Sequence, residues 1–234
     1  MSDTELRRRL DAVRERIARA AERAGRDTGA VEVMAVTKGH PAITLRDVAS
    51  AGLQLVGENR VREAEEKAEA VRRLGLRWHM VGHLQRNKAR RAVRLFDAVE
   101  SVDSLRLARV LDAECARLGK DRLEVLAQVN TSGEETKGGF SGPGALEEIA
   151  AACELPRLHF AGLMTMAPLT SDEAVLRSVF RRTRELCERC SAEVSGFEGR
   201  VLSMGMSNDF VIAVEEGSTR VRLGTVLLGE RPLP

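Results

Sequence analysis

Short runs of β-branched and apolar residues alternate with longer amphipathic segments along almost the whole chain. The runs predict eight strands, at residues 31–37, 53–58, 77–83, 97–102, 123–130, 158–166, 201–205 and 219–225. Between them, apolar residues recur three and four positions apart, which is the spacing of one helix face. Strands and helices in strict alternation are typical of a parallel sheet with helical crossovers. We therefore expect an α/β fold, a closed (β/α)8 barrel of the TIM type.

The first 28 residues precede the first predicted strand and are expected to form an additional helix. One face of this helix is apolar, which predicts that it packs on the outside or the bottom of the barrel; its residues are Leu6, Leu10, Val13, Ile17 and Ala20. The 234 residues suffice for one barrel, and no low-complexity linker or internal repeat divides them. Residues 1–234 are therefore predicted to form a single domain.

The charge balance and the start of the chain limit the functions that we expect. The chain has 37 basic and 35 acidic residues, a net charge of +2, which does not indicate a nucleic-acid or membrane surface. The charged N-terminal segment lacks the apolar core of a secretory signal, and no run approaches the roughly 18 apolar residues of a spanning helix. We expect a cytoplasmic protein that binds a small ligand, with no nucleic acid or membrane as a partner.

The four cysteines do not suggest a disulfide framework or a metal site. Cys115, Cys153, Cys187 and Cys190 all fall in segments predicted as helices. The last two have the spacing of a zinc-binding pair, but a zinc site needs about four ligands and no second pair follows. We therefore predict structural or surface thiols and no bound metal.

In a (β/α)8 barrel, functional groups gather where strands end, so the residues that follow each strand are the candidates. Lys38 follows the first strand and Asn59 the second. A lysine in that position could also have no functional role, with its stem on apolar surface and its ammonium in water. Phosphate in such barrels often lies between the last two loops, where Ser207, Gly224 and Thr225 stand, and these residues predict a phosphate cradle.

The last strand adds a cation to this end of the barrel. Arg220 and Arg222 alternate with Val221 and Leu223, so one of the two arginines must point into the barrel. A buried guanidinium must be paired, either with a carboxylate in the core or with an acceptor on a ligand.

A lysine, a phosphate cradle and an interior arginine together suit pyridoxal 5′-phosphate (PLP), an aldehyde with a phosphate and a ring acceptor. Lys38 would form the Schiff base with the aldehyde. Burial beside Arg222 would disfavour the ammonium form of Lys38 and leave a nucleophilic amine.

Ordered blocks from about residue 30 to residue 231 resemble the YggS/PROSC family of pyridoxal phosphate homeostasis proteins. They read "MAVTKGHPA", "VGENRVREAEEK", "WHMVGHLQRNKAR", "SVDSLRLA", "QVNTSGEETKGGF", "GLMTMAP" and "LSMGMSNDFVIAVEEGSTRVRLGTVLLGER". The chain departs from the family at Arg60, where an aromatic residue is common, and at Gly39 and His40, where a lysine and a proline often follow the Schiff-base lysine.

The resemblance implies a barrel like the N-terminal domain of alanine racemase, of PLP fold type III, with PLP as cofactor. It also implies that the second domain, which makes racemase dimers, is absent, so we expect a monomer. It implies that Lys38 carries the Schiff base, that Asn59 lies near the cofactor and that Arg222 contacts the pyridine nitrogen. It places the phosphate on Met206, Ser207, Gly224 and Thr225, with Ser203 as a further candidate for the same phosphate cradle.

An arginine on the pyridine nitrogen leaves that nitrogen unprotonated, which makes the ring a poorer electron sink. A two-base racemase also needs a proton donor across the ring from the lysine. In alanine racemases, the family comparison implies a tyrosine from a second domain, and this chain contains no tyrosine. We therefore expect a protein that holds PLP and buffers it or delivers it to apo-enzymes, without obligatory turnover. The alternatives are an amino-acid racemase of fold type III and, in another class, a cofactor-free scaffold or RNA-contacting barrel.

Overall fold

A computed structural model describes residues 3–134 and 138–230. In those residues, eight parallel strands follow one another around a closed barrel in chain order, which confirms the predicted fold class. The strands are β1 Glu32–Val36, β2 Leu55–Glu58, β3 Arg77–Met80, β4 Ala98–Val102, β5 Leu123–Gln128, β6 Leu158–Met164, β7 Phe197–Ser203 and β8 Arg220–Leu223.

Helices fill the connections and surround the barrel in the described residues. They are α1 Asp3–Arg23, α2 Thr44–Ser50, α3 Val61–Leu74, α4 Ala89–Leu95, α5 Leu105–Leu118, α6 Ala145–Cys153, α7 Glu173–Glu193, α8 Phe210–Glu215 and α9 Thr225–Leu228, with a 3₁₀ turn at Arg86–Lys88 before α4. Helix α5 carries standard signals at both ends. Ser104 accepts a hydrogen bond from the amide of Leu107 at the start of α5, and Gly119 ends that helix in the left-handed conformation.

The N-terminal helix α1 packs on the outside of the barrel, against α2, α8 and α9. Its predicted apolar face is buried, and the residues of that face are Leu6, Leu10, Val13, Ile17 and Ala20. This face therefore covers the helices beside the first and last strands, as expected for an amphipathic helix that precedes a barrel.

Closure of the barrel brings its two ends together by pairing β1 with β8. Met34 lies opposite Arg222 and Ala35 lies opposite Leu223 in the parallel ladder. Because the strands are parallel, the residues after β1 and the residues after β8 leave the sheet at the same end. Lys38 and Gly224 are thereby brought to one rim.

A buried charge cluster occupies the barrel interior around Glu100, which is completely buried. Its carboxylate accepts hydrogen bonds from His79 Nδ1 at 2.7 Å, Arg220 Nη1 at 2.7 Å and Ser203 Oγ at 2.5 Å. Burial would raise the pKa of Glu100, but the bond from His79 and the charge of Arg220 outweigh it and lower that pKa to about 2.

Both arginines of β8 point into the barrel, so the expectation that one of them does so was wrong. Arg220 and Arg222 are 3% and 5% exposed. Residues two apart on a strand share a face, so the two guanidinium groups must enter the interior together. Arg220 is held by Glu100 and by Glu32, whose carboxylate lies 2.8 Å from Arg220 Nη2.

We predict that Glu100→Gln lowers the free energy of unfolding by about 3 kcal/mol at pH 7, because it leaves Arg220 buried without its full countercharge. The pKa of Glu100 is depressed, so its contribution is present above the ordinary value of 4.5 and is lost as the pH falls toward about 2. Urea unfolding at several pH values measures the difference between the proteins, which should shrink in that window.

The control is Glu65→Gln, which removes a carboxylate from an exposed pair with Arg91 and should cost less than about 1 kcal/mol. A difference between wild type and Glu100→Gln that stays constant from pH 7 to pH 2 would contradict the ionised, paired state of Glu100.

Candidate functional site

A cavity of about 460 Å³ lies at the carboxyl ends of β1, β2, β3, β6, β7 and β8, the rim at which barrels of this class carry their sites. It brings together all but one of the predicted binding residues. Those that line it are Lys38, Asn59, Met206, Ser207, Arg222, Gly224 and Thr225. Val36, Val81 and Met166 add apolar surface to its walls.

Lys38 is placed by the end of β1. The strand ends at Val36, Thr37 is buried, and Gly39 turns the chain with a φ of +72°. A residue with a Cβ rarely adopts that conformation, so a glycine suits the turn. The lysine side chain is half-buried and lines the cavity, which fits the predicted nucleophile better than the alternative of a solvated surface lysine.

The loops after β7 and β8 meet across the cavity floor. Ser207 Oγ accepts a hydrogen bond of 3.3 Å from the amide of Val226. In the described part of the chain, the backbone amides of Ser207, Asn208, Gly224 and Thr225 make no hydrogen bond, although all four residues line the cavity. Backbone amides that converge on one concave surface form an anion-binding site, so this group is suited to receive an anion from outside the chain.

The turn after β7 depends on Gly205, which has a φ of +96°. A Cβ at this position would lie 2.7 Å from the Cβ of Ala213 in α8, so the close approach of loop and helix needs a glycine. The Gly205 carbonyl accepts from the amide of Arg222 at 2.9 Å, which ties the turn to β8.

Arg222 is anchored at the cavity by its guanidinium group. Nη1 donates to the carbonyl of Ser203 at 2.5 Å and to Ser203 Oγ at 2.8 Å, while Nη2 donates to the carbonyl of Thr165 at 2.7 Å. No residue in the described ranges accepts from Nε. Burial lowers the pKa of Arg222, yet an arginine keeps its proton at physiological pH. An oriented cation with a spare donor is thus available to a ligand.

Ser203 is the predicted site residue that lies away from the cavity lining. Its hydroxyl donates to Glu100 and accepts from Arg222, so it stands behind the arginine in the barrel interior. A direct contact between Ser203 and a phosphate stays a prediction. The arrangement observed here gives it the role of joining Arg222 to the charge cluster.

Sequence reasoning missed Asp209, which is buried and lines the cavity beside the amide group. Its Oδ1 accepts from the amide of Met206 at 2.5 Å, so that amide is already used within the protein. Burial raises the pKa of Asp209. Its position just before α8 resembled an ordinary helix start, and nothing in the local pattern marked it as part of the cavity.

A second cavity, of about 790 Å³, lies between α3 and α4 and also touches Asn59. Two of its arginines have carboxylates beside them, since Arg91 pairs with Glu65 and Arg62 lies 4.0 Å from Glu66. Lys88 lines the same space. Paired surface charges are typical of a solvated face, so the smaller cavity with the amide group is the stronger candidate site.

Residues 9–232 match the family model described as alanine racemase, N-terminal domain. A pyridoxal phosphate homeostasis protein of Aquifex aeolicus is 40% identical over 225 residues, which cover 95% of this chain and 97% of the relative. The chain belongs to the pyridoxal phosphate homeostasis protein family. This membership confirms the resemblance that the sequence blocks indicated.

Solved structures add to the family assignment. PipY of Synechococcus elongatus, solved with PLP bound, has a TM-score of 0.84 and 34% identity, over 96% of this chain and 100% of that chain. An alanine racemase of Clostridium difficile has a TM-score of 0.75 at 15% identity, over 98% of this chain and 57% of that chain, and shares the fold alone. Within the described residues of this family member, no helix has the length and apolarity needed to cross a bilayer.

We predict that Asp209→Asn tightens the binding of inorganic phosphate about fivefold at pH 7.5, because it removes a negative charge beside the anion. The asparagine oxygen can still accept from the Met206 amide. Since burial raises the pKa of Asp209, the advantage of the variant should grow as the pH rises and the wild-type carboxyl ionises. Calorimetric titration with phosphate measures this affinity.

The matched control is Asp121→Asn, at an exposed aspartate that precedes β5 at the opposite end of the barrel. It should leave the phosphate affinity unchanged. Equal affinities of wild type and Asp209→Asn would show that phosphate does not bind beside this carboxyl group.

Proposed function

We propose that the protein binds PLP in the cavity lined by Lys38, Arg222 and Gly224 and holds it as a Schiff base on Lys38. It then buffers PLP or delivers it to apo-enzymes in the cytoplasm. The observation that carries the proposal is that one cavity joins an amine, a buried guanidinium and four amides that have no partner among the described residues. The name of the Aquifex relative and the PLP bound to PipY support the choice of ligand.

Each part of the cavity suits one part of PLP. The bound cofactor supplies an aldehyde with which a lysine amine can condense. The Lys38 amine is the nucleophile, and the amides of Ser207, Asn208, Gly224 and Thr225 hold the phosphate. The spare Nε–H of Arg222 donates to an acceptor on the ring, and the apolar side chains of Val36 and Val81 exclude water beside it. Asn59 lies on the same wall as a further polar contact.

The cavity favours a carrier over a racemase. Among its described lining residues, Lys38, Asp209 and Arg222 are the ones with ionisable side chains. Arg222 keeps its proton, and the Asp209 carboxyl is engaged by the Met206 amide. Asp209 therefore lies with the amides proposed for the phosphate, and we expect no proton donor across the ring from Lys38, which a two-base racemisation needs.

We expect PLP to give the purified protein a visible absorbance band that borohydride removes. Mass spectrometry of the reduced protein should place the adduct on Lys38, and Lys38→Ala should lose both the band and the adduct. Lys88→Ala is the matched control, because Lys88 lines the α3–α4 cavity, and it should keep both. An adduct on Lys88 in the wild type would overturn the site assignment.

The carrier role predicts transfer without turnover. Mixed with an apo-enzyme that needs PLP, the loaded protein should lose its absorbance band while the enzyme gains activity. Incubated with common L-amino acids, it should form no D-isomer at rates near 1 s⁻¹, the low end of ordinary enzyme turnover. Racemisation at such rates would replace the carrier by the alternative, an amino-acid racemase.

A further inference from the structure

Two side chains of α3 hold the peptide groups on either side of Lys38. Lys67 Nζ donates to the carbonyl of Thr37 at 2.7 Å, and the amide of Gly39 donates to Glu63 Oε2 at 2.8 Å. Glu63 and Lys67 are four residues apart and therefore lie on the same face of the helix. The backbone that carries the lysine is thus fixed at both ends of one residue by one helix.

Lys67 is also part of a buried ion pair. It is 5% exposed, and its Nζ lies 2.6 Å from Oε2 of the completely buried Glu58. Removal of two charges from water is unfavourable, and their attraction offsets this cost only when the geometry is good. Here each group has further partners, because Lys67 also binds Thr37 and Glu58 Oε1 accepts from the amide of Asn59 at 2.8 Å.

The pair therefore reaches two residues of the cavity at once, Lys38 through its preceding carbonyl and Asn59 through its own amide. A purely structural role for the pair would be to join α3 to β2. That junction already has apolar contacts from Val61, Ala64 and Val71, which are buried in the main core. Neither the bond to Thr37 nor the second anchor at Gly39 contributes to such a junction.

We infer that Glu63 and Lys67 are positioning residues for Lys38, which set the direction in which its amine enters the cavity; this inference rests on the proposed function. A reacting group misplaced by about 1 Å can lose two orders of magnitude in rate, so anchors on both flanking peptides have kinetic value. The anchors act on the amine and not on the phosphate, whose amide group belongs to other loops.

The test separates the formation of the Schiff base from the binding of the ligand. In Lys67→Met, stopped-flow absorbance should show that the rate constant for Schiff-base formation with saturating PLP falls about tenfold or more. The Kd for pyridoxine 5′-phosphate, which has a hydroxymethyl group in place of the aldehyde, should stay within about twofold of wild type, since this ligand makes no bond to Lys38.

Further variants guard against a failure to fold. Lys67→Met leaves Glu58 buried without its cation, so Glu58→Gln combined with Lys67→Met removes both charges and should show the same slow bond formation. Glu63→Ala, on the partly exposed side of α3, removes the anchor at Gly39 together with an exposed pair to Arg60 and leaves Lys67 in place. It should therefore slow the reaction less than Lys67→Met does. Glu66→Ala, on the same helix but exposed, is the control and should match wild type.

A second readout does not depend on PLP. In the apo-protein, amide hydrogen exchange at Gly39 should be faster in Glu63→Ala than in wild type or Glu66→Ala. If wild type forms no adduct on Lys38, the proposed function fails, and this exchange still reports on the anchor. Folded variants whose bond-formation rates equal that of wild type, or whose rate and Kd for pyridoxine 5′-phosphate worsen by the same factor, would overturn the positioning role.

Discussion

The parallel pairing of β1 with β8 is the contact on which the site depends. This pairing closes the barrel and aligns Met34 with Arg222, so the residues that follow each strand emerge side by side. A lysine near the start of the chain and a glycine turn near its end then face one cavity, although almost the whole fold lies between them in sequence. The energy for this closure comes from the apolar core around the barrel, which includes the inner face of α1.

Two buried charge clusters organise the polar part of the structure. The cluster around Glu100 fills the barrel interior and reaches Arg222 through Ser203. The pair of Glu58 and Lys67 lies between β2 and α3 and reaches the backbone on both sides of the cavity. In each case, groups that are costly to bury are paired and also hold a residue of the site in place. Arg222 and the backbone around Lys38 are therefore held by contacts within the protein.

Much of the architecture could be predicted because it follows from periodicity. All eight strands lie at or within a few residues of their predicted positions, and the largest shift is at β7, which begins at Phe197 instead of residue 201. The first half of β7 carries exposed polar residues at Glu198 and Arg200, so the apolar pattern that marks a strand is absent there. Position at a strand end also predicted most of the lining residues, namely Lys38, Asn59, Ser207, Gly224 and Thr225. Arg222 was predicted from the alternation within β8, and Met206 from the family resemblance alone.

The remaining features depend on contacts between distant residues. Lys67 lies in the charged run "REAEEK", which looks like a solvated helix face, and only the approach of α3 to Thr37 reveals its burial. Asp209 stands where the first residue of a helix is expected. Arg220 is buried because it pairs with Glu100 on β4, which is distant in the sequence. Pairing of this kind leaves no local pattern, because either partner alone reads as a surface charge.

The most direct test of the account is a crystal structure of the protein grown with PLP. The account predicts continuous density between Lys38 Nζ and the ligand, a phosphate on the amides of Ser207, Asn208, Gly224 and Thr225, and the ring beside Arg222. A phosphate bound in the α3–α4 cavity, with Lys38 not joined to the ligand, would contradict it.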